Sequence, residues 1–145
     1  MKLWLPATSA PKSKGAREVP RELMGRGAIL LVDDEDAVRR VAKAALEHYG
    51  YTVTLAEDGY QAVDILSRTG EQMMLVILDL AMPGMGGEET FRRLKAIRPE
   101  VPVLLSSGFD ELEAARRFQD GGIVGFLQKP YTVAQLAEKV KAAAS

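Results

Sequence analysis

The stretch MLVILDLAMP, residues 74–83, decides the fold. From Met74 to Leu78 no side chain is polar, and such a run without alternation reads as a strand buried on both faces, as in a parallel sheet covered by helices. Asp79 follows directly, at the strand's C-terminal edge. In an open α/β sheet ligands bind at that edge, which gives Asp79 the address of a functional residue. Asp also begins many turns, and Pro83 and Gly84 follow closely, so this position alone does not separate chemistry from a turn.

A second acidic strand end changes the balance. Residues 28–32 form another apolar run and finish in Asp33, Asp34 and Glu35. Neighbouring parallel strands that both end in acids would crowd several negative charges together. At roughly 5 Å and an effective dielectric of about 20, each pair repels by about 3 kcal/mol. A hard divalent cation with oxygen ligands, Mg²⁺ above all, would neutralise such a cluster and leave room for a phosphate.

A chain of 145 residues, 47% hydrophobic and 27% charged, fits one domain with a well-formed core and a tail. There is no cysteine, which excludes disulfides, thiolate metal sites and cysteine nucleophiles. The apolar runs fall far short of the ~20 residues needed to span a bilayer. The N-terminus has no hydrophobic signal core, and a cytoplasmic location is expected. Residues 1–27 carry a net charge of +4 and the remainder −5. A basic tail of this kind is usually a solvated linker, and no nucleic-acid or membrane partner is expected from it.

Residues 6–20 are rich in Pro, Ser, Ala and Lys and read as linker, with the body beginning near Gly27. After the acidic triplet, Val38, Val41, Ala42, Ala45, Leu46 and Tyr49 keep the spacing of an amphipathic helix that Gly50 stops. Residues 52–56 alternate polar with apolar, as an edge strand does. Asp58 can cap a second helix whose Ala62, Ile65 and Leu66 face inward until Gly70. Phe91, Leu94 and Ile97 mark a third helix that ends ahead of Pro99. The glycines at 84, 86 and 87 form no phosphate cradle, because the G-x-x-x-x-G-K-[ST] pattern is missing.

A fourth strand is expected over 101–106, with Pro102 tolerated at its start. A helix over 111–119 would bury Leu112, Ala115 and Phe118, and a fifth strand over 123–128 leads to Lys129 and Pro130. Thr132 and Gln135 form a capping-box pattern for a last helix burying Val133, Leu136, Ala137 and Val140. Strict alternation of five strands with five helices implies a doubly wound α/β fold, a parallel sheet with helices on both faces. Right-handed crossovers put every strand's C-terminal end on one edge, which collects Asp33, Asp34, Asp79, Ser107 and Lys129.

These residues suit phosphoryl transfer. Asp79 can take a phosphoryl group as a mixed anhydride. Asp33 and Asp34, with Asp79 and the backbone carbonyl of Ala81, would hold Mg²⁺. Lys129 would supply positive charge and Ser107 a hydrogen bond to a phosphoryl oxygen. His48, late in the first helix and away from this edge, reads as incidental.

The segments ILLVDDE (29–35), LVILDLAMPGMGG (75–87), PVLLSSG (102–108) and FLQKPY (126–131) stand in the order and spacing of the receiver domains of bacterial two-component signalling, which this chain resembles over residues 28–144. The resemblance implies a flavodoxin-like (βα)5 fold with strand order 2-1-3-4-5. It implies that Asp79 accepts phosphate from a histidine kinase or histidine phosphotransfer domain, that Asp33, Asp34 and Asp79 bind Mg²⁺, and that Ser107 and Lys129 sense the phosphate. The family's switch aromatic falls on Phe126, and the Lys129-Pro130 peptide is expected to be cis. Ala81 and Phe109 occupy positions thought to tune self-dephosphorylation.

With the last helix running to within a residue or so of Ser145, no effector domain is expected after it. Met1 to Ala7 is similar to the closing strand of a histidine-kinase ATP-binding domain, so the expected parent is a hybrid sensor histidine kinase ending in this receiver. The receiver itself would then not be a conventional enzyme. A stand-alone regulator, an aspartyl-phosphate phosphatase of the haloacid-dehalogenase type and a receiver-like module that only binds partners remain open. The phosphatase wants a second acid two residues beyond its nucleophile, where this chain has Ala81.

Overall fold

The computed structural model describes residues 24–82, 84–108 and 123–144. Five strands occupy Ala28–Val32 (β1), Thr52–Ala56 (β2), Met73–Asp79 (β3), Val103–Ser107 (β4) and Ile123–Gln128 (β5). Four α-helices are found among the described residues: Asp36–His48 (α1), Gly59–Thr69 (α2), Gly87–Ile97 (α3) and Val133–Ala144 (α4), and a 3-10 turn, Gly70–Gln72, leads into β3. The helix expected over 111–119, with Leu112, Ala115 and Phe118, lies outside the described residues, as do Phe109, Pro83 and residues 1–23.

All strand pairs are parallel and the order is β2-β1-β3-β4-β5. Alternate residues of the central strands point to opposite faces. On one face Leu30, Val32, Val76, Leu78 and Leu105 meet Ala62 and Leu66 of α2 and Phe91 and Leu94 of α3. On the other, Ile29, Leu31, Leu75, Ile77 and Leu104 meet Ala42 and Leu46 of α1 and Leu136, Ala137 and Val140 of α4. Burial on both sides explains why β1 and β3 read as unbroken apolar runs. β2 has one partner strand, and its alternation reflects the edge.

Local chemistry sets the helix ends. Asp58 Oδ1 accepts the Gln61 N–H at 2.8 Å at the start of α2. The capping box of α4 is closed both ways: the Thr132 N–H reaches Gln135 Oε1 at 2.9 Å and the Gln135 N–H reaches Thr132 Oγ1 at 3.0 Å. Gly50, at φ +107°, ends α1, and its backbone crosses Gly25 so closely that a Cβ would lie 2.2 Å from the Gly25 carbonyl oxygen.

Three expectations are corrected, and one apolar position of α1 turns outward. Asp79 is the last residue of β3, not the first after it, because the ladder continues to pair it with Ser106. β4 starts at Val103, not at Val101, whose N–H turns back to the Arg98 carbonyl at 3.0 Å. Val133 is 43% exposed at the mouth of α4, not in the core. Val41 is 60% exposed, so the apolar stripe of α1 is wider than the face the sheet covers.

Candidate functional site

Parallel pairing carries four strand ends to one edge. Val32 and Leu78 are register partners, so Asp33, one residue beyond β1, stands beside Asp79. Asp79 pairs with Ser106 and Ser107 with Gln128, which brings Ser107 and Lys129 to the same edge. One carboxylate oxygen from each of Asp33, Asp34 and Asp79 lies within 4.8 Å of the others. A cleft of about 450 Å³ opens beside them, lined by Asp34, Asp79, Ala81, Ser107 and Lys129.

Each buried acid has one oxygen committed to backbone. Asp33 Oδ1 accepts the Glu35 N–H at 2.9 Å and Asp79 Oδ1 accepts the Ala81 N–H at 3.0 Å. The remaining oxygens face Lys129, whose Nζ lies 2.8 Å from Asp33 Oδ2, 3.3 Å from Asp79 Oδ2 and 3.4 Å from Glu35 Oε1. Asp34 is exposed at the rim. Ser107 is buried, its Oγ without a hydrogen-bond partner among the described residues. Phe126 is half-buried on β5 as the register partner of Leu105, and the Lys129-Pro130 peptide is cis. His48 closes α1 with its ring edge-on to Tyr49.

Burial pushes the Asp79 carboxyl up to about 6, and the Asp33 charge adds to the rise. The Ala81 N–H and Lys129 oppose it without cancelling it. For Lys129 burial works against the charge, but the hydrogen bond to Asp33 and the charges of Asp79 and Asp33 outweigh it and hold the ammonium above its ordinary range. Oxygen donors from three carboxylates, with no nitrogen or sulfur among them, are what a hard divalent cation takes.

Two residues around the cleft escaped the sequence reading. Arg39, on the first turn of α1, is buried and donates to the Asp33 backbone carbonyl at 2.6 Å. An arginine on an amphipathic helix looks like a surface residue, and only its place four residues after Glu35 could have raised the question. The Tyr131 hydroxyl is buried without a partner among the described residues. Burial, with the Asp33 charge, pushes it up to about 12. An aromatic after Lys-Pro carries no signal by itself.

The family model for the response regulator receiver domain matches residues 29–141. The chain is 36% identical over 137 residues to the protein named sensor kinase CckA of Brucella abortus, covering 93% of this chain and 14% of that protein. It is 33% identical over 120 residues to the transcriptional regulatory protein YkoG of Bacillus subtilis, covering 83% of this chain and 52% of that one. The chain thus spans from a seventh to about half of these relatives' lengths. Among solved structures, a receiver domain protein from Clostridium thermocellum superposes with a TM-score of 0.76 at 28% identity, covering 81% of this chain and 94% of that one. The receiver domain of the hybrid histidine kinase CckA gives 0.71 at 35% identity, covering 82% and 100%. With family model, relatives and strand order in agreement, the chain belongs to the response regulator receiver domains of two-component signalling.

Proposed function

We propose that Asp79 accepts a phosphoryl group from a phosphohistidine, with Mg²⁺ held by Asp33, Asp34, Asp79 and the Ala81 carbonyl. The observation that carries this reading is the meeting of Asp33 and Asp34, from the end of β1, with Asp79, from the end of β3, their carboxylate oxygens within 4.8 Å of one another at one edge of the sheet. In the transfer the P–N bond of the donor breaks, a P–O bond forms on the Asp79 carboxylate and the imidazole leaves with a proton. When bound, the cation screens the carboxylates from the incoming phosphoryl oxygens and stabilises their charge in the transition state. Lys129, already paired with Asp79, places positive charge beside the acceptor. Ser107 has a buried hydroxyl free to donate to a phosphoryl oxygen.

The donor is a histidine kinase or histidine phosphotransfer domain. Beside the cleft lies a groove of about 510 Å³ that shares Glu35 and Lys129 with it and is floored by Ala37, Val38, Val41, Pro130 and Tyr131. An apolar helix face carrying a phosphohistidine fits such a groove and would present its ring to Asp79. Movement of Ser107 toward the phosphoryl group would give Phe126 room to turn inward and change the surface of β5, α4 and the helix expected over 111–119. The parent is a hybrid sensor histidine kinase in the cytoplasm, a reading supported by the likeness to CckA across 93% of the chain. Among the described residues no helix is long and apolar enough to cross a membrane.

Incubation with Mg²⁺ and acetyl phosphate, followed by intact mass measurement, tests the acceptor. One added phosphoryl group is expected on the wild type and none on Asp79→Asn. A wild type that stays unmodified, or a variant modified equally, would refute the assignment.

A further inference from the structure

Arg39 stands where ordinary helix rules would not put it. It is in the first turn of α1, where the aligned peptide dipoles present their positive end and a cation is disfavoured. It is also 8% exposed, and a guanidinium so far from water is costly unless its donors are used. One of its nitrogens, Nη1, donates to the Asp33 backbone carbonyl at 2.6 Å, and Nη2 reaches Asp36 Oδ1 at 3.2 Å. Departures from local rules of this kind gather at functional sites.

The Asp33 peptide is thereby fixed from every side. Its N–H extends the sheet by bonding the Ala56 carbonyl at 3.1 Å, and its carbonyl is held by Arg39. The side-chain Oδ1 accepts the Glu35 N–H. Only Oδ2 is left, and it meets Lys129 of the cleft wall at 2.8 Å. Of these contacts, the one from Arg39 comes from a side chain outside the cleft wall.

We propose that Arg39 is a positioning residue for cation binding: by clamping the Asp33 carbonyl it aims Asp33 Oδ2 into the cleft and tightens the site without touching the ion. The proposal rests on the cleft being the Mg²⁺ site. Partners that orient a metal ligand typically alter affinity by about 10–100-fold when removed. The Asp36 contact is a separate matter, since Asp36 is 60% exposed and shared with Arg40.

The test is Mg²⁺ titration of the full chain, followed by NMR at a temperature where every variant keeps a dispersed spectrum, with exchange of the Glu35 amide measured in metal-free buffer. Arg39→Met is expected to bind Mg²⁺ at least about tenfold more weakly and to exchange the Glu35 amide faster. Arg39→Lys keeps one charged donor in a different geometry and is expected to be a few-fold weaker than the wild type, between the two. Asp36→Asn weakens the Asp36 contacts with Arg39 and Arg40 but leaves the hydrogen bond from Arg39 to the Asp33 carbonyl, and is expected to bind as the wild type does.

Wild-type affinity in Arg39→Met would overturn the proposal, as would equal losses in Arg39→Met and Asp36→Asn. Should Arg39→Met not fold, wild-type affinity and exchange in Arg39→Lys would overturn it. Asp79→Asn separates the underlying reading. If the wild type binds no Mg²⁺, or Asp79→Asn binds it undiminished, the cleft is not the site and both readings fall. If Asp79→Asn loses affinity while Arg39→Met does not, only the role of Arg39 falls.

Discussion

At the level of single residues, the cleft holds charge that the fold alone would not choose. Asp79 is 2% exposed and its carboxyl is pushed up to about 6 from an ordinary 3.8. Between those values the folded state holds more protons than the unfolded chain, so the stability Asp79 contributes falls as pH rises through that window and is level above it. Asp79→Asn keeps an acceptor for the Ala81 N–H without the charge. The variant is therefore expected to unfold at higher urea than the wild type at pH 7.5 in EDTA, by on the order of 2–3 kcal/mol. The gap should close as the pH is lowered toward 4. Urea titrations at several pH values decide it, and a gap independent of pH would contradict the burial argument. Asp33, Asp34 and Asp79 were legible in the sequence because two apolar strands that both end in acids crowd like charges at one edge, which turn formation alone does not call for. Arg39 was not, because its partner is a backbone carbonyl, and a carbonyl leaves no mark on a sequence.

Among the elements, α1 does two things with one apolar stripe. Ala42, Ala45 and Leu46 pack on the sheet, while Val41 is exposed and lines the groove beside the cleft. Periodicity does not distinguish a residue turned to the core from one turned outward, so the spacing placed Val41 on the apolar stripe without saying which it is. The two classes respond differently to charge. Val41→Asp is expected to change stability by less than about 0.5 kcal/mol, as exposed substitutions do. It is expected to slow phosphotransfer from a histidine-bearing protein by tenfold or more and to leave modification by acetyl phosphate unchanged. Equal rates with both donors would remove the groove from the docking surface. The turn after α1 is specified more tightly. Gly50→Ala would force a left-handed φ on a residue with a Cβ and drive it into the Gly25 carbonyl. Thermal melts are expected to place this variant at least about 2 kcal/mol below the wild type. The sequence marked Gly50 as a helix stop, but the close crossing with Gly25 joins two segments that nothing in either one connects.

For the whole molecule, the alternation of strands and helices was enough to imply a parallel sheet with every strand's C-terminal end on one edge, because strands joined by crossover helices all run the same way. The strand order was not contained in that alternation. Which strands neighbour β1 depends on where the crossovers reverse, and it came from the resemblance. The result puts β1 and β3, both covered on two faces, side by side, so their acidic ends meet at one edge. Two apolar layers, one against α2 and α3 and one against α1 and α4, hold those ends together against their mutual repulsion. On the proposal that these acids hold a cation, the ion would bind the folded chain and not the unfolded one, where Asp79 is far along the chain from Asp33 and Asp34. Its binding free energy is then added to folding stability, by about 1.4 kcal/mol for each tenfold rise above the dissociation constant. For a domain of this size that amounts to several degrees in the unfolding midpoint. Calorimetry across a Mg²⁺ series at constant ionic strength should show the wild-type midpoint climbing with the logarithm of concentration, while Asp79→Asn starts higher in EDTA and climbs over a smaller range. Parallel slopes in the two proteins would place the ion somewhere other than at these acids.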